Sequence, residues 1–554
     1  MGKGKLALFC LSVLLVLTDG YVWITAAHAQ KPQSTDRPQK AVKASDCYGC
    51  HDAIKDFHTR GKHAKVSCSR CHEALDLHLK DSAVKPATRT DHAACGQCHK
   101  EQYESFVSAN LESKAKVEKA TFKSRSPLFD TLSMPHAFTK EHDEPRSHIF
   151  GLMDHFIVDR AYGGRFQLKD WSKISDAKSA ETNLWKILID REPTTTDQKT
   201  FIPQSAVAAN PVCLQCKSQD HILEWKYLGD KDPRARWDRT SKVVELARNL
   251  RHPVNCYMCH DPHSSQPRVV RDALIQAIVD RGEGTYPYDK EKSKETTVTK
   301  VMFRDNFRAI GLLNRPDSNV MCAQCHVEYN CNPGHIEGFD PTTDEKITVT
   351  DRRTNLIQWV NIFDYPKRME EVRFKDFKHA VTGASLNKLQ HPETETFWGS
   401  RHERAGVECK DCHMPKITKS GKTYTWHGQQ SARYMLKNTC ERCHPAWSDQ
   451  EAEYQVDAIQ NYVRGKITKA EFWLGQFIEA YARAKAAGVS PDILREARKN
   501  HDVAHIYWEW WTAENSDGFH NPEAARESLT RSIDLSQKGI KTLNEAIEAA
   551  GKKQ

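Results

Sequence analysis

The sequence is short of apolar residues for its length. Hydrophobic types fill 39% of 554 positions and the mean hydropathy is -0.69, so something other than apolar side chains must fill much of the interior. Beyond residue 24 no apolar run is long enough to span a bilayer, which excludes a polytopic membrane protein. A basic block is also missing. The 81 basic and 73 acidic residues are dispersed, giving +8 overall, so the charge reads as a solvated surface with some attraction for an anionic substrate, and no nucleic-acid partner is expected.

The N-terminus carries Lys3 and Lys5, an apolar run from Leu6 to Leu17, and Ala27-His28-Ala29 before Gln30. This is the pattern of a secretory signal peptide cleaved after Ala29, which makes the mature protein periplasmic. The alternative is a membrane anchor, since apolar residues recur to Ile24, but Asp19 and Gly20 interrupt the run.

Cysteine is the plentiful residue. Of 18 cysteines, Cys10 leaves with the signal, sixteen form eight C-x-x-C pairs, and Cys331 stands alone. Seven pairs are followed at once by histidine: Cys47-Cys50-His51, Cys68-Cys71-His72, Cys95-Cys98-His99, Cys256-Cys259-His260, Cys322-Cys325-His326, Cys409-Cys412-His413 and Cys440-Cys443-His444. Neither disulfides nor zinc ribbons require that histidine. Covalent haem c attachment requires all three residues: two thiols add to the porphyrin and the next side chain turns to the iron. Eight haems at about 65 residues of mature chain each predict a mainly α multihaem cytochrome c with a haem-packed core, short helices and loops. Of 27 histidines, enough remain to give each of the seven motif histidines a distal partner. An iron with two histidine ligands only passes electrons, so catalysis needs a different site.

The eighth pair, Cys213-Cys216, is followed by Lys217. Lysine binds a metal only as the neutral amine, and holding it so at pH 7 costs about 4 to 5 kcal/mol. Lys217 is therefore expected as the proximal ligand of the one haem open to substrate. The competing reading is that this pair binds no haem, or that Lys217 faces solvent.

Cys-x-x-Cys-Lys followed by "CYMCHDPH", "CAQCHVEY", "KLQHPE" and "CKDCHMP" resembles, from about Arg146 to Pro445, the pentahaem cytochrome c nitrite reductases that form ammonium. With three further motifs upstream, and Cys331 two residues after Tyr329, the chain resembles the octahaem nitrite reductases, in which the active-site tyrosine is cross-linked to a cysteine. The resemblance implies an anion-binding Arg146 in "EPRSH", where Ser147 replaces the family glycine. It also implies a proton-donating Tyr329 joined by a thioether to Cys331, and His391 as a further distal donor. By the same resemblance, Glu328, Tyr329, Lys388 and Gln390 form a calcium site, and His148, His379, His402 and His427 are distal ligands of the core haems. For the three N-terminal haems, His58, His63, His78 and His92 are the nearest candidates, without an assigned pairing. Read from their residues alone, Arg146 is a surface arginine, Cys331 a free thiol and His391 an axial ligand.

The expected organisation is a signal peptide at 1–29, an N-terminal trihaem module at 30–145, a pentahaem catalytic core at 146–445 and long C-terminal helices at 446–554. Ser490-Pro491 and Asn521-Pro522 are N-cap and first-turn pairs. The stretch "HIYWEWW" at 505–511 reads as core packing or as a subunit interface. The insert after His263, charged at "YDKEKSKETT", reads as a surface excursion. The expected function is reduction of nitrite, and also hydroxylamine or sulfite, with a cytochrome or quinol dehydrogenase as donor and a homo-oligomeric state. The alternatives are a non-enzymatic electron conduit and an octahaem hydroxylamine oxidoreductase. Lys217 argues against both.

Overall fold

A computed structural model describes residues 42–108, 128–134, 147–152, 211–242, 245–246, 249–330, 333–338 and 341–552. The signal-peptide reading, Arg146, Cys331 and both domain boundaries near 30 and 145 lie outside the described residues.

The chain is helical with a few short strands, as the sequence predicts. Its C-terminal part is three long helices, Asp449–Ala486, Pro491–Ala513 and Pro522–Gly551. The first starts where the Ser448 side chain accepts from the Glu451 amide, with Asp449 and Glu451 in its positive first turn and Arg483 and Lys485 in its negative last turn. Asn521 caps the third by accepting from the Ala524 amide. Ser490 precedes Pro491 but makes no side-chain capping bond, so the proline's fixed φ starts the second helix.

Trp508, Trp510 and Trp511 are buried among Phe477, Tyr481, Leu529 and Leu543 of the neighbouring helices. The aromatic stretch is therefore core packing and not an exposed interface. Each indole N–H finds an acceptor: Glu471 Oε1 at 3.4 Å, Thr396 Oγ1 at 2.7 Å and Ser528 Oγ at 2.7 Å. Gly539 allows a close helix contact, since a Cβ there would sit 2.5 Å from the Phe477 ring.

The middle of the chain is built around a three-stranded antiparallel sheet. Arg308–Leu313 is its central strand, between Arg268–Val269 and Val298–Phe303. This corrects the reading of 263–302 as a surface excursion. Val269, Ala273, Leu274, Ile275, Ala277 and Ile278 are buried in a core cluster with Leu214 and Trp225, and the charged helix Lys290–Glu295 holds no buried residue. Among the described residues no helix is long and apolar enough to cross a membrane.

Thr396→Val removes the hydroxyl that accepts from the Trp510 indole in a buried site. The expected cost is about 1–3 kcal/mol, read as a lower thermal unfolding midpoint, with Thr396→Ser losing less.

Candidate active site and metal centres

Each motif is one tight turn. The amides of His51, His99, His260 and His326 donate to the carbonyls of Cys47, Cys95, Cys256 and Cys322 at 3.0 Å, and His444 to Cys440 at 2.9 Å. Four residues of helical backbone bring the cysteine and the histidine to one face. The Lys217 turn is tighter: its amide donates to Leu214, three residues back, at 3.0 Å, next to a 3-10 segment at Pro211–Cys216.

Every motif histidine faces a second histidine. Ring centroids are 6.2 Å apart for His51 and His78, 6.4 Å for His72 and His263, and 6.1 Å for His99 and His63. In the core the separations are 6.5 Å for His260 and His427, 6.2 Å for His326 and His148, 6.3 Å for His413 and His520, and 6.5 Å for His444 and His402. Two imidazoles bound on opposite sides of one metal, each through a bond of about 2.0–2.1 Å, have centroids about 6.3 Å apart. The spacing fits a haem iron between each pair.

The ring nitrogens support the same fit. His63, His72, His78, His413 and His427 use Nδ1 for bonds to Pro262 O, Thr88 Oγ1, Val84 O, Gln430 O and Thr425 O, at 2.7 to 3.0 Å, which leaves Nε2 for the metal. Burial lowers the pKa of His148 to about 3 and those of His260 and His413 to about 4, so all three present the neutral imidazole that metals bind.

Three histidines that the sequence offers as distal ligands have a different environment. His379 has His501 as its ring neighbour, at 5.1 Å, and not a motif histidine. Its Nε2 donates to Thr131 O at 2.9 Å and its Nδ1 accepts from the Thr382 amide at 3.3 Å. His58 bonds Tyr48 through Nδ1 and Val66 O through Nε2, and His92 bonds Val254 O through Nε2. The places expected for them are held by His520 and His263, which sequence reading missed. His501 and His505 are also 6.1 Å apart, but His505 Nε2 is bonded to Glu509 Oε2 at 2.7 Å and neither follows a cysteine pair.

Around the Lys217 motif the structure gathers Tyr329, His391 and an unexpected residue, Arg271. The fully buried Arg271 donates to the Cys216 sulfur at 3.2 Å and lies 4.8 Å over the Tyr329 ring. Lys217 and His391 lie within electrostatic range of the same sulfur. Arg271 Nη2 reaches Asn355 Oδ1 at 3.4 Å. Its sequence signal is an arginine set inside the apolar run "RVVRDALI". His391 Nδ1 stands 3.9 Å from Glu393 Oε1, and the other oxygen of that carboxylate is 3.6 Å from His326 Nδ1.

Of the expected calcium donors, Glu328 and Gln390 are brought together. Successive amides of Lys388, Leu389 and Gln390 donate to Asp376 Oδ2 at 2.9 Å, Glu509 Oε1 at 3.3 Å and Glu328 Oε2 at 2.6 Å. Glu328 also accepts from the Tyr365 hydroxyl at 3.3 Å, and its amide donates to Glu395 Oε1 at 3.0 Å. Burial holds Glu328 and Glu395 well above the usual carboxylate range, and the negative charge of Glu395 adds to the rise at Glu328. Glu395 Oε2 has no hydrogen-bond partner among the described residues. A buried group of carboxylates left short of positive charge suits a hard divalent cation, although no set of three histidine, cysteine or carboxylate side chains at metal-binding distance occurs among the described residues.

The cytochrome c552 family profile matches residues 187–554. The chain belongs to the cytochrome c552 family. Within that family it is similar to the cytochrome c nitrite reductase subunit NrfA of Nitratidesulfovibrio vulgaris, at 24% identity over 530 residues, covering 90% of this chain and 83% of that protein. It is also similar to cytochrome c-552 of Parabacteroides distasonis, at 27% identity over 326 residues, covering 58% of this chain and 56% of that protein. Its fold matches the cytochrome c nitrite reductase of Desulfovibrio desulfuricans with TM-score 0.57 and 20% identity, over 83% of this chain and 87% of that one, a structure solved with attention to two calcium sites in its catalytic subunit. Family membership makes the chain an oxidoreductase of the kind these relatives represent and implies covalently held haem c.

Burial raises Asp376 from 3.8 to about 6. The folded chain then keeps a proton that the unfolded chain releases, so stability falls as pH rises from about 4 through about 6, by on the order of 3 kcal/mol in all. Denaturation of chelator-treated protein at pH 4 and pH 7 should show this slope, and Asp376→Asn should flatten it.

Proposed function

We propose that the chain is a periplasmic octahaem reductase that converts nitrite, and also hydroxylamine or sulfite, at the site marked by Lys217. The observation that carries this reading is a contrast: seven motif histidines are each opposed by a second imidazole, whereas the eighth motif ends in lysine and is surrounded by Arg271, Tyr329 and His391.

Haem c supplies reversible one-electron chemistry at an iron. Bis-histidine ligation is assigned to His51 with His78, His99 with His63, His260 with His427, His326 with His148, His413 with His520 and His444 with His402. His379 is left out, because its ring nitrogens are both engaged by backbone groups. Lys217 would hold the iron at the Cys213-Cys216 motif, bound as a neutral amine.

Reduction of nitrite to ammonium takes up six electrons and eight protons, so the distal side needs a cation and proton donors. Arg146 binds the anion. Arg271 adds fixed positive charge from beside the Cys216 sulfur and through its contact with the Tyr329 ring lowers the cost of a phenolate there. Tyr329, joined by a thioether to Cys331, and His391 hold protons toward the substrate. Glu393 orients His391 from 3.9 Å. Glu328 with Tyr329, Lys388 and Gln390 would hold calcium, whose charge would offset the buried carboxylates. A donor cytochrome or quinol dehydrogenase and a homo-oligomeric state complete the reading.

Purified holoprotein given reduced viologen and isotopically labelled nitrite should yield labelled ammonium at six electrons per molecule. Tyr329→Phe should lower kcat about 100-fold. No turnover by a protein whose haems reduce reversibly would leave an electron conduit in its place. His520→Leu should convert one low-spin haem to high spin by electron paramagnetic resonance, and His379→Leu should convert none.

A further inference from the structure

The pair His72 and His263 differs from the other two in the N-terminal segment, because its second member comes from the core. Their rings are 6.4 Å apart and nearly parallel, at 13°. His263 follows the Cys256-Cys259-His260 motif in "CHDPHSS", and its loop is pinned on several sides. Asp261 Oδ1 accepts from the amides of His263 at 3.0 Å and Ser264 at 2.8 Å, and Arg268 holds the other carboxylate oxygen at 2.9 Å. His263 Nδ1 lies 3.9 Å from the same Asp261 carboxylate, which makes Nε2 the nitrogen available to a metal. The N-terminal alternatives are otherwise employed, since His58 and His92 both spend Nε2 on backbone carbonyls.

The same short loop serves a second site. Pro262 O accepts from His63 Nδ1 at 2.9 Å, which aims the opposite edge of that ring at His99, and Ser265 Oγ accepts from the Lys62 amide at 3.0 Å. The segments touch because residue 61 is glycine: a Cβ there would stand 2.5 Å from the Ser264 backbone.

Resting on the haem reading above, we propose that His263 is the sixth ligand of the haem c attached at Cys68 and Cys71. Loop 261–265 is then a clamp: it ligates one haem of the N-terminal segment directly and orients, through Pro262 and His63, the ligand of another. Haem attachment at His72 therefore fastens the N-terminal segment to the catalytic core, and the two do not complete their metal sites separately.

The test uses the full-length holoprotein. Pyridine haemochrome of the parent protein first counts haem, and a count below eight would overturn the haem reading itself. His263→Leu is then expected to keep that count while one of seven low-spin signals becomes high spin in electron paramagnetic resonance and near-infrared magnetic circular dichroism. Added imidazole should restore the lost signal. Gly61→Ala, which forces residue 61 off the Ser264 backbone, should speed proteolytic release of the N-terminal segment, and unchanged release would overturn the clamp. If His263→Leu does not accumulate, His263→Met should, with one signal changing from bis-imidazole to imidazole-thioether character. Seven unchanged low-spin signals in His263→Leu, or loss of one in His58→Leu or His92→Leu, would overturn the assignment.

Discussion

Opposed imidazoles spaced to take one metal ion are the constraint on which the rest of the molecule depends. A local turn can present a cysteine pair and one histidine, but the second ring must arrive from another part of the chain and stop at the right distance. His413 meets His520 just beyond the second long helix, and His326 meets His148 from far upstream. Helices, strands and loops that look irregular when taken singly are the means of delivering those second rings. The modest share of apolar residues fits this arrangement, because a haem disc between two rings provides apolar surface that side chains then do not need to supply.

A second constraint is electrostatic. Three consecutive amides, from Lys388 to Gln390, are gripped by carboxylates of three separate segments. Anions accepting from backbone N–H groups form strong, directional bonds, but the cluster remains buried and crowded with negative charge. The opposing positive charge on Glu328 and Asp376 comes from Lys388, in the same segment.

What could be read from the sequence was what is local. The eight cysteine pairs, the exceptional Lys217, the long C-terminal helices and the Asn521 cap each depend on residues a few positions apart. The partners of those motifs do not. His263 and His520 carry no neighbouring signature that separates them from His58, His92 or His379, and only the engagement of each ring's nitrogens distinguishes a structural histidine from one left open to a metal. The burial of Arg271 and of the stretch 269–278 has the same non-local origin, since it comes from pairing with Arg308–Leu313 and packing on Leu214 and Trp225, whereas the charge run at 288–297 is local.

The location of His520 bears on how the protein is made. A chain emerges from its N-terminus first, so the Cys409-Cys412-His413 motif exists long before its second ring does, and the Glu509 grip on Leu389 is just as late. Neither the His413–His520 pair nor the His391 loop can assume its final geometry until synthesis has passed residue 520. Partial chains ending anywhere before His520 hold cysteine pairs that are ready for attachment but lack the side chain that finishes the site.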